Sequence, residues 1–323
     1  MRIAVVQLGR IGDMILQTPI FKIIKEKYPD SLIDVISGRH NNIVLKNNPR
    51  INEIIVYEKN PVKLLSLIMK LRNIHYDYWI DPKNHYSTES KFLAKISKAK
   101  YKVGFNRENE YIFNVPLLKT ENDNQIHFTR SSINALKILN IEQPRYVPLP
   151  ELYPSKEDID NSNKFFDQYA SLTKVLINFS AGSENRRWDI RNWISFVNSN
   201  KNLNMKFFLI NSPKDQFFAE EIIKKCPKLI PIKTKSILDV AAIINKVDLV
   251  ITPDTSIVHI ASGYNKPIIC LYSNNQNNFE RFKPLSDVQF VVRSNSSDDT
   301  LSGITPDELE RVFRKAININ LAF

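Results

Sequence analysis

Residues 2–27 read RIAVVQLGRIGDMILQTPIFKIIKEK. Residues 3–8 are a short apolar, β-branched run ended by Gly9, which predicts a buried strand. Residues 14–27 then place Met14, Leu16, Ile20, Phe21 and Ile24 at helical spacing. A buried strand delivering straight into a helix is the first half of a βαβ unit. The alternation continues outward. Strands are predicted at 31–37, 51–57, 76–80 and 101–105, with helices at 64–73, 88–96 and 129–139. Such alternation builds a parallel sheet with helices on its faces.

Pro144, Pro148, Pro150 and Pro154 then fall in a stretch with few periodic apolar residues, which reads as an interdomain linker. Beyond it the alternation restarts. Strands are predicted at 174–179, 206–210, 229–231, 249–252 and 267–272, with helices at 156–169, 193–198, 217–225, 237–245, 256–262 and 306–316. Between 273 and 305 only a polar tract at 294–300 stands out. The expectation is an α/β chain of two Rossmann-like, doubly wound domains, 1–150 and 151–323, with the functional site in the cleft between them.

Length and composition agree with two domains. At 323 residues the chain can bury a sizeable core without disulfide or metal staples. No apolar run reaches the ~18 residues of a membrane span, and the N-terminus lacks the apolar core of a signal peptide. Two cysteines, Cys226 and Cys270, exclude a disulfide scaffold and a Cys-based zinc site, and they fit a reducing cytoplasm. The formal charge of +11 is uneven: residues 1–150 carry 23 Lys and Arg against 14 Asp and Glu. Such a basic half suits nucleic acid, acidic lipid headgroups or an acidic glycolipid, or is a solvated surface with no dedicated partner.

Three loops can carry chemistry. In QLGRIGD, Gly9 and Gly12 flank the first strand-to-helix turn, where glycine allows close backbone approach and positive φ. The spacing is G-x-x-G, so neither the dinucleotide fingerprint nor a Walker loop applies. Asp13 follows, either as a helix N-cap or as a reactive carboxylate. The second loop, FSAGSENRRW at 179–188, puts small residues at the end of a strand and then paired arginines. It suits phosphoryl oxygens, or is a surface loop whose Trp188 packs on the next helix. The third, TPDTSIVHIA at 252–261, follows a strand and opens a helix, whose free amides favour a pyrophosphate. His259 one turn in either donates to that anion or serves as a structural hydrogen bonder.

Other chemistries lack their signatures. The five histidines show no metal spacing, and no G-x-S-x-G elbow occurs. The D-x-D at Asp158 and Asp160 falls on a predicted helix. Residues 91–102, KFLAKISKAKYK, form a basic amphipathic stretch that with Arg107 makes a dense positive segment, suited to a membrane surface or simply solvated.

Together the three loops resemble the bacterial ADP-heptose:lipopolysaccharide heptosyltransferases, glycosyltransferase family 9. The carrying residues are Gly12-Asp13 with Thr18-Pro19, Ala181-Gly182 with Arg186-Arg187-Trp188, and Asp254 to Ala261, in the family's Asp-[Thr/Ser]-Gly-x-x-His-[Leu/Ile]-Ala position. The resemblance spans nearly the whole chain. It implies the GT-B architecture, with a last helix, here 306–316, packing back on the first domain. It implies Asp13 as catalytic base on an acceptor hydroxyl. Gly182, Arg186, Asp254, Thr255, Ser256, Ile257 and His259 would hold the donor diphosphate, Asp215 the ribose, and Lys235 with Ser236 the nucleobase. The acceptor side would use Gly9, Arg10, Gly12, Lys83, His85, Lys98 and Arg107. Three departures stand out: Ser256 replaces the usual Gly, Arg186 the usual Lys, and Asn211-Ser212 a Gly-Gly.

The implied reaction is an inverting displacement of the nucleoside diphosphate from the anomeric carbon, with fixed protein charges on the leaving group and no metal or cofactor. The partners implied are ADP-heptose, an anionic inner-core glycolipid and the inner face of the cytoplasmic membrane, with no nucleic acid. Alternatives are a GT-B enzyme using another nucleotide sugar for capsule, O-antigen or protein glycan, a sugar-nucleotide epimerase, and a non-enzymatic nucleic-acid-binding module.

Overall fold

The computed structural model describes residues 1–83, 85–118, 124–201 and 203–320. It divides into two compact units, Met1–Tyr153 and Pro154–Phe323. Among the described residues of the first unit, a sheet comprises β1 (Arg2–Gln7), β2 (Leu32–Gly38), β3 (Glu53–Tyr57), β4 (His75–Ile80), β5 (Lys98–Gly104) and β6 (Val115–Pro116). Their order is β3-β2-β1-β4-β5-β6, and each neighbouring pair is parallel. This is the Rossmann order, whose switch point lies between β1 and β4. Ala4, Val6, Ile36, Trp79 and Leu93 meet in a core on one face of this sheet.

The helix expected over 14–27 is two helices, α1 (Ile11–Gln17) and α2 (Pro19–Lys27). Pro19 has no N–H to continue the ladder. Thr18 completes the break: its backbone N–H and its Oγ1 both donate to the Ile15 carbonyl, at 3.1 and 2.7 Å. The next helices are α3 (Pro61–Asn73), α4 (Thr88–Ile96) and α5 (Phe128–Asn134). The basic stretch at 91–102 is likewise divided. Its first part lies on α4, and Lys98, Lys100 and Lys102 lie on β5. The alternating Lys residues there have a strand period, which the helical reading overlooked.

In the second unit the strands are β7 (Thr173–Asn178), β8 (Met205–Ile210), β9 (Ile230–Pro231), β10 (Leu249–Pro253), β11 (Ile268–Tyr272) and β12 (Gln289–Arg293). Their order is β12-β11-β10-β7-β8-β9, again all parallel, with the switch point between β7 and β10. The helices are α6 (Lys156–Asp167), α7 (Ile190–Ser199), α8 (Gln216–Lys225), α9 (Ile237–Ile244), α10 (Ser256–Gly263), α11 (Gln276–Phe282) and α12 (Pro306–Asn320). Asp158 of the D-x-D sits in α6, where it accepts from the Ser155 N–H and Oγ in a capping box.

Two of these elements, α11 and β12, were not anticipated. The helix α11 is only seven residues long and buries no side chain fully, so its apolar period is faint. The apolar face of α12 goes into its own unit: Leu309, Phe313 and Ala316 are fully buried among Val175, Phe196 and Phe207.

Candidate active site

The C-terminal ends of β1 and β4 present two loops side by side. At the first, Gly9 bridges β1 and α1. Its φ is not positive; among the described residues no glycine has positive φ. Glycine is required there for space instead. A Cβ on Gly9 would stand 2.5 Å from Asp13 Oδ2 and 2.7 Å from Gln7 Oε1. The Gln7 amide is immobilised in turn: it donates to Gln17 Oε1 at 2.6 Å and its oxygen accepts from Gly9 N–H at 2.8 Å.

Asp13 is not the N-cap. The helix begins two residues earlier, with Arg10 as N-cap and Asp13 at the third helical position. Its Oδ2 accepts from the Arg10 N–H at 3.0 Å, and the side chain is half-buried. One carboxylate oxygen thus holds the turn. Gly12 lies inside the first turn of α1.

At the second loop Asp81 is buried at 3% exposure. It accepts from Ser90 Oγ of α4 and from the Lys83 N–H at 3.2 Å. Burial raises its pKa above the usual carboxylate range, against the lowering effect of the Ser90 and Lys83 contacts. The Lys83 side chain is half-buried and His85 is exposed. Arg107 lies over the Tyr86 ring at 3.4 Å, and Lys91 of α4 pairs with Glu110 beside it. Arg107, Tyr86, Lys91 and Glu110 thus form one cluster. Lys98 is exposed at the start of β5, the strand end opposite to these loops. The expected acceptor residues therefore fall into two groups: Gly9, Arg10, Gly12, Lys83, His85 and Arg107 on loops after the strands or on the turn leading into α1, and Lys98 away from them.

The second unit repeats the plan. Asn178, the last residue of β7, reaches across the switch point. Its Nδ2 donates to Thr252 Oγ1 at 2.8 Å, and it lies 3.2 and 3.3 Å from Ser180 O and Thr255 Oγ1. Thr255 caps α10, its Oγ1 accepting from the Ile257 N–H at 3.3 Å. Ser256 opens the helix half-exposed, while Ile257 and His259 are buried, His259 beside the Phe282 ring.

Above this helix start lies a closed triangle of polar groups. Arg186 Nη1 is 3.1 Å from Asp254 Oδ2, Arg186 Nη2 donates to Asn278 Oδ1 at 3.0 Å, and Asn278 Nδ2 donates to Asp254 Oδ2 at 2.7 Å. The guanidinium retains 26% side-chain exposure, the carboxylate 5%. The arrangement fixes a cation at a helix N-terminus, which is suited to a diphosphate. Gly182 is exposed, and a Cβ there would meet nothing within 4 Å, so the neighbouring protein atoms do not demand glycine. Beneath the triangle, burial and the Asp254 charge push the Cys270 thiol up, keeping it neutral.

Asp215 is placed differently from the three residues of the triangle. It is buried at 1% exposure, with Arg187 Nη2 at 3.0 Å on Oδ1 and Ser212 Oγ at 2.8 Å on Oδ2. Both oxygens are thus engaged within the protein. Lys214 Nζ donates to Ala181 O at 2.8 Å and Ser212 N–H to Ser180 Oγ at 2.8 Å, so this loop clamps the phosphate-type loop. Lys235 extends outward before α9, its ammonium 3.5 Å from Glu157. Trp188 is core: its Nε1 donates to Ile304 O at 2.9 Å, edge-on to Trp193.

Asn278 and Asn178 were missed as site residues. Asn178 ends a predicted strand, a position that α/β sheets use for function. Asn278 had a fainter signal, the Asn275 cap that accepts from its N–H at 2.9 Å. Among the described residues no three His, Cys, Asp or Glu side chains gather as a metal site, and no helix is long and apolar enough to cross a membrane.

Residues 64–303 match glycosyltransferase family 9 (heptosyltransferase). The lipopolysaccharide core heptosyltransferase OpsX of Haemophilus influenzae is 26% identical over 302 residues, covering 90% of this chain and 83% of that protein. A family 9 glycosyl transferase from Veillonella parvula superposes with a TM-score of 0.84 at 18% identity, covering 98% of this chain and 97% of that one. The E. coli ADP-heptose lipopolysaccharide heptosyltransferase II superposes at 0.81 with 19% identity, covering 98% and 99%. These structural likenesses establish the fold, the two-domain α/β architecture of the GT-B class.

Proposed function

The chain belongs to glycosyltransferase family 9, the heptosyltransferase family, and from that premise we propose that it moves a heptose from ADP-heptose to an acidic inner-core lipopolysaccharide acceptor, inverting the anomeric carbon. The observation that carries the reading is the Arg186–Asp254–Asn278 triangle at the start of α10. A departing diphosphate gathers negative charge, and a fixed guanidinium beside a helix N-terminus stabilises it without reorganisation.

In this reading the second unit holds the donor through Arg186, Asp254, Thr255, Ser256, Ile257 and His259, with Gly182 in the adjoining loop. Asp215 acts through Arg187 and the shape of that loop, and Lys235 lies toward the nucleobase. The first unit binds the acceptor through Gly9, Arg10, Gly12, Lys83, His85 and Arg107, while Lys98, at the opposite strand end, adds only long-range positive charge. Asp13 removes the hydroxyl proton as oxygen attacks the anomeric carbon. The bond from that carbon to the diphosphate oxygen breaks, and the diphosphate leaves with its charge on Arg186 and the α10 amides. The acceptor's carboxylates and phosphates match the basic first half, so the enzyme works from the cytoplasm at the inner face of the membrane.

Calorimetric titration with ADP, UDP and GDP tests the donor assignment. ADP should bind most tightly, and transfer from ADP-heptose should give a product of inverted anomeric configuration. Equal affinity for all three nucleotides would refute it. A donor with another nucleotide is the second reading, favoured by Ser256, whose side chain narrows the approach of a phosphate where the family resemblance leads one to expect Gly.

A further inference from the structure

The helix α3 carries apolar residues on two opposite sides. Leu67 and Leu71 point into the core at 5% and 0% exposure. Val62, Leu65 and Met69, spaced i, i+3, i+7, form a second stripe on the far side, 78%, 59% and 54% exposed. Among the described residues nothing in this unit covers that stripe. The neighbouring helix α4, which packs against α3, adds Phe92 at 37% exposure and the exposed Lys95.

The sequence around the stripe is rich in cations, of which Lys63 pairs with Glu58 and Lys70 with Glu53. Residues 59–102, which comprise α3, β4, α4 and most of β5, hold ten Lys and Arg against three Asp and Glu. Most of the first half's positive excess therefore lies in the segment that exposes the stripe. Lys63 and Arg72 flank it on α3 itself. A second copy of this chain would bring two such segments together against their own repulsion. An exposed apolar helix face set among cations fits an anionic lipid surface instead: apolar side chains enter the acyl boundary, and cations pair with headgroups.

We propose that the outer face of α3, with Phe92 and Lys95 of α4, docks the protein on an anionic bilayer. The proposal rests on the reading of a membrane-borne acceptor, and its test is separable from the test of that reading. Flotation of the full chain with vesicles of phosphatidylethanolamine and phosphatidylglycerol should show binding that falls with added salt. Phosphatidylcholine vesicles should bind it weakly. Leu65→Ser with Met69→Ser should weaken binding to the anionic vesicles by roughly tenfold or more. Arg72→Gln with Lys95→Gln should weaken it and flatten the salt dependence.

Both double variants should keep the thermal midpoint of the parent and its transfer rate to a water-soluble acceptor lacking acyl chains, which separates docking from folding and from catalysis. Absence of binding to the anionic vesicles, or equal binding by the parent and Leu65→Ser/Met69→Ser, would overturn the proposal. So would a dimer in solution that Leu65→Ser/Met69→Ser converts to monomer, which would assign the stripe to a second copy. Failure of the ADP titration would remove the donor reading and leave the vesicle result standing.

Discussion

The carboxylate of Asp13 lies directly over Gly9, so close that a Cβ on Gly9 would stand 2.5 Å from Asp13 Oδ2. The other obstacle, Gln7 Oε1, is held in a buried amide pair with Gln17 and cannot yield as easily. Gly9→Ala should therefore displace Asp13. Misplacement of a reacting group by about 1 Å costs up to ~100-fold in rate. Turnover should fall on that scale while ADP affinity, read by calorimetry, stays constant. Normal turnover in Gly9→Ala would show that the position of this carboxylate is immaterial.

Asp13→Asn separates the structural work of Asp13 from the chemical. The amide oxygen can still accept the Arg10 N–H, so folding and ADP affinity should persist. The amide cannot take a proton, and turnover should drop by about 10²–10⁴. Near-normal turnover would leave Asp13 only its structural role, holding the Arg10 N–H at the start of α1.

Arg186→Ala should have two effects that a second change can part. It removes the guanidinium 3.1 Å from the buried Asp254 carboxylate, and costs on the order of 3 kcal/mol of stability. It should also weaken ADP binding by roughly 1–3 kcal/mol. Adding Asp254→Asn removes the buried charge that Arg186 had faced, so denaturant unfolding should recover stability while ADP affinity stays low. Recovery of both would mean that Arg186 serves the fold alone.

Asp81 predicts a pH effect. Burial raises its pKa, so the folded state favours the protonated acid. Its contribution to stability is full below the ordinary carboxylate pKa and is lost as pH rises through the elevated folded value. Asp81→Asn keeps a neutral group able to accept from Lys83 N–H and donate to Ser90 Oγ. The stability difference between Asp81→Asn and the parent should grow in the variant's favour as pH rises across that window. A difference independent of pH would mean that this carboxyl titrates alike in both states.

The lysines of β5 should divide by role. Lys98 and Lys100 are exposed, and Lys98→Gln with Lys100→Gln should reduce the salt dependence of the acceptor KM. Lys102 is half-buried; its Nζ donates to Ala94 O at 2.6 Å and Ser97 O at 3.0 Å, closing the end of α4. Lys102→Gln should leave the salt dependence and lower stability by about 1 kcal/mol. An unchanged salt dependence in the Lys98/Lys100 variant would make these charges a solubilising surface.

Most strands and helices were legible because their signals are local, while the edge strands β6 and β12 were not. A buried parallel strand is a short β-branched run, and a helix repeats its apolar residues over a few turns, so IAVVQL and VLIN declare themselves within one window. The three strand-to-helix loops were legible for the same reason, and so was the charge excess of the first half.

What the chain order could not disclose was how these residues use one another. Arg186 meets Asn278 across 92 residues of sequence, and Asn278 lies on a helix too short to show a period. Asp215, which the resemblance assigned to the ribose, has Arg187 on one carboxylate oxygen and Ser212 on the other, which no sequence window shows. Gly9 read as allowing both close approach and positive φ, and only the close approach holds, because the Asp13 carboxylate occupies the space beside it. Hydrophobic periodicity is a property of neighbours in sequence. Pairing, burial and steric exclusion depend on neighbours in space, which exist only once the sheets have formed.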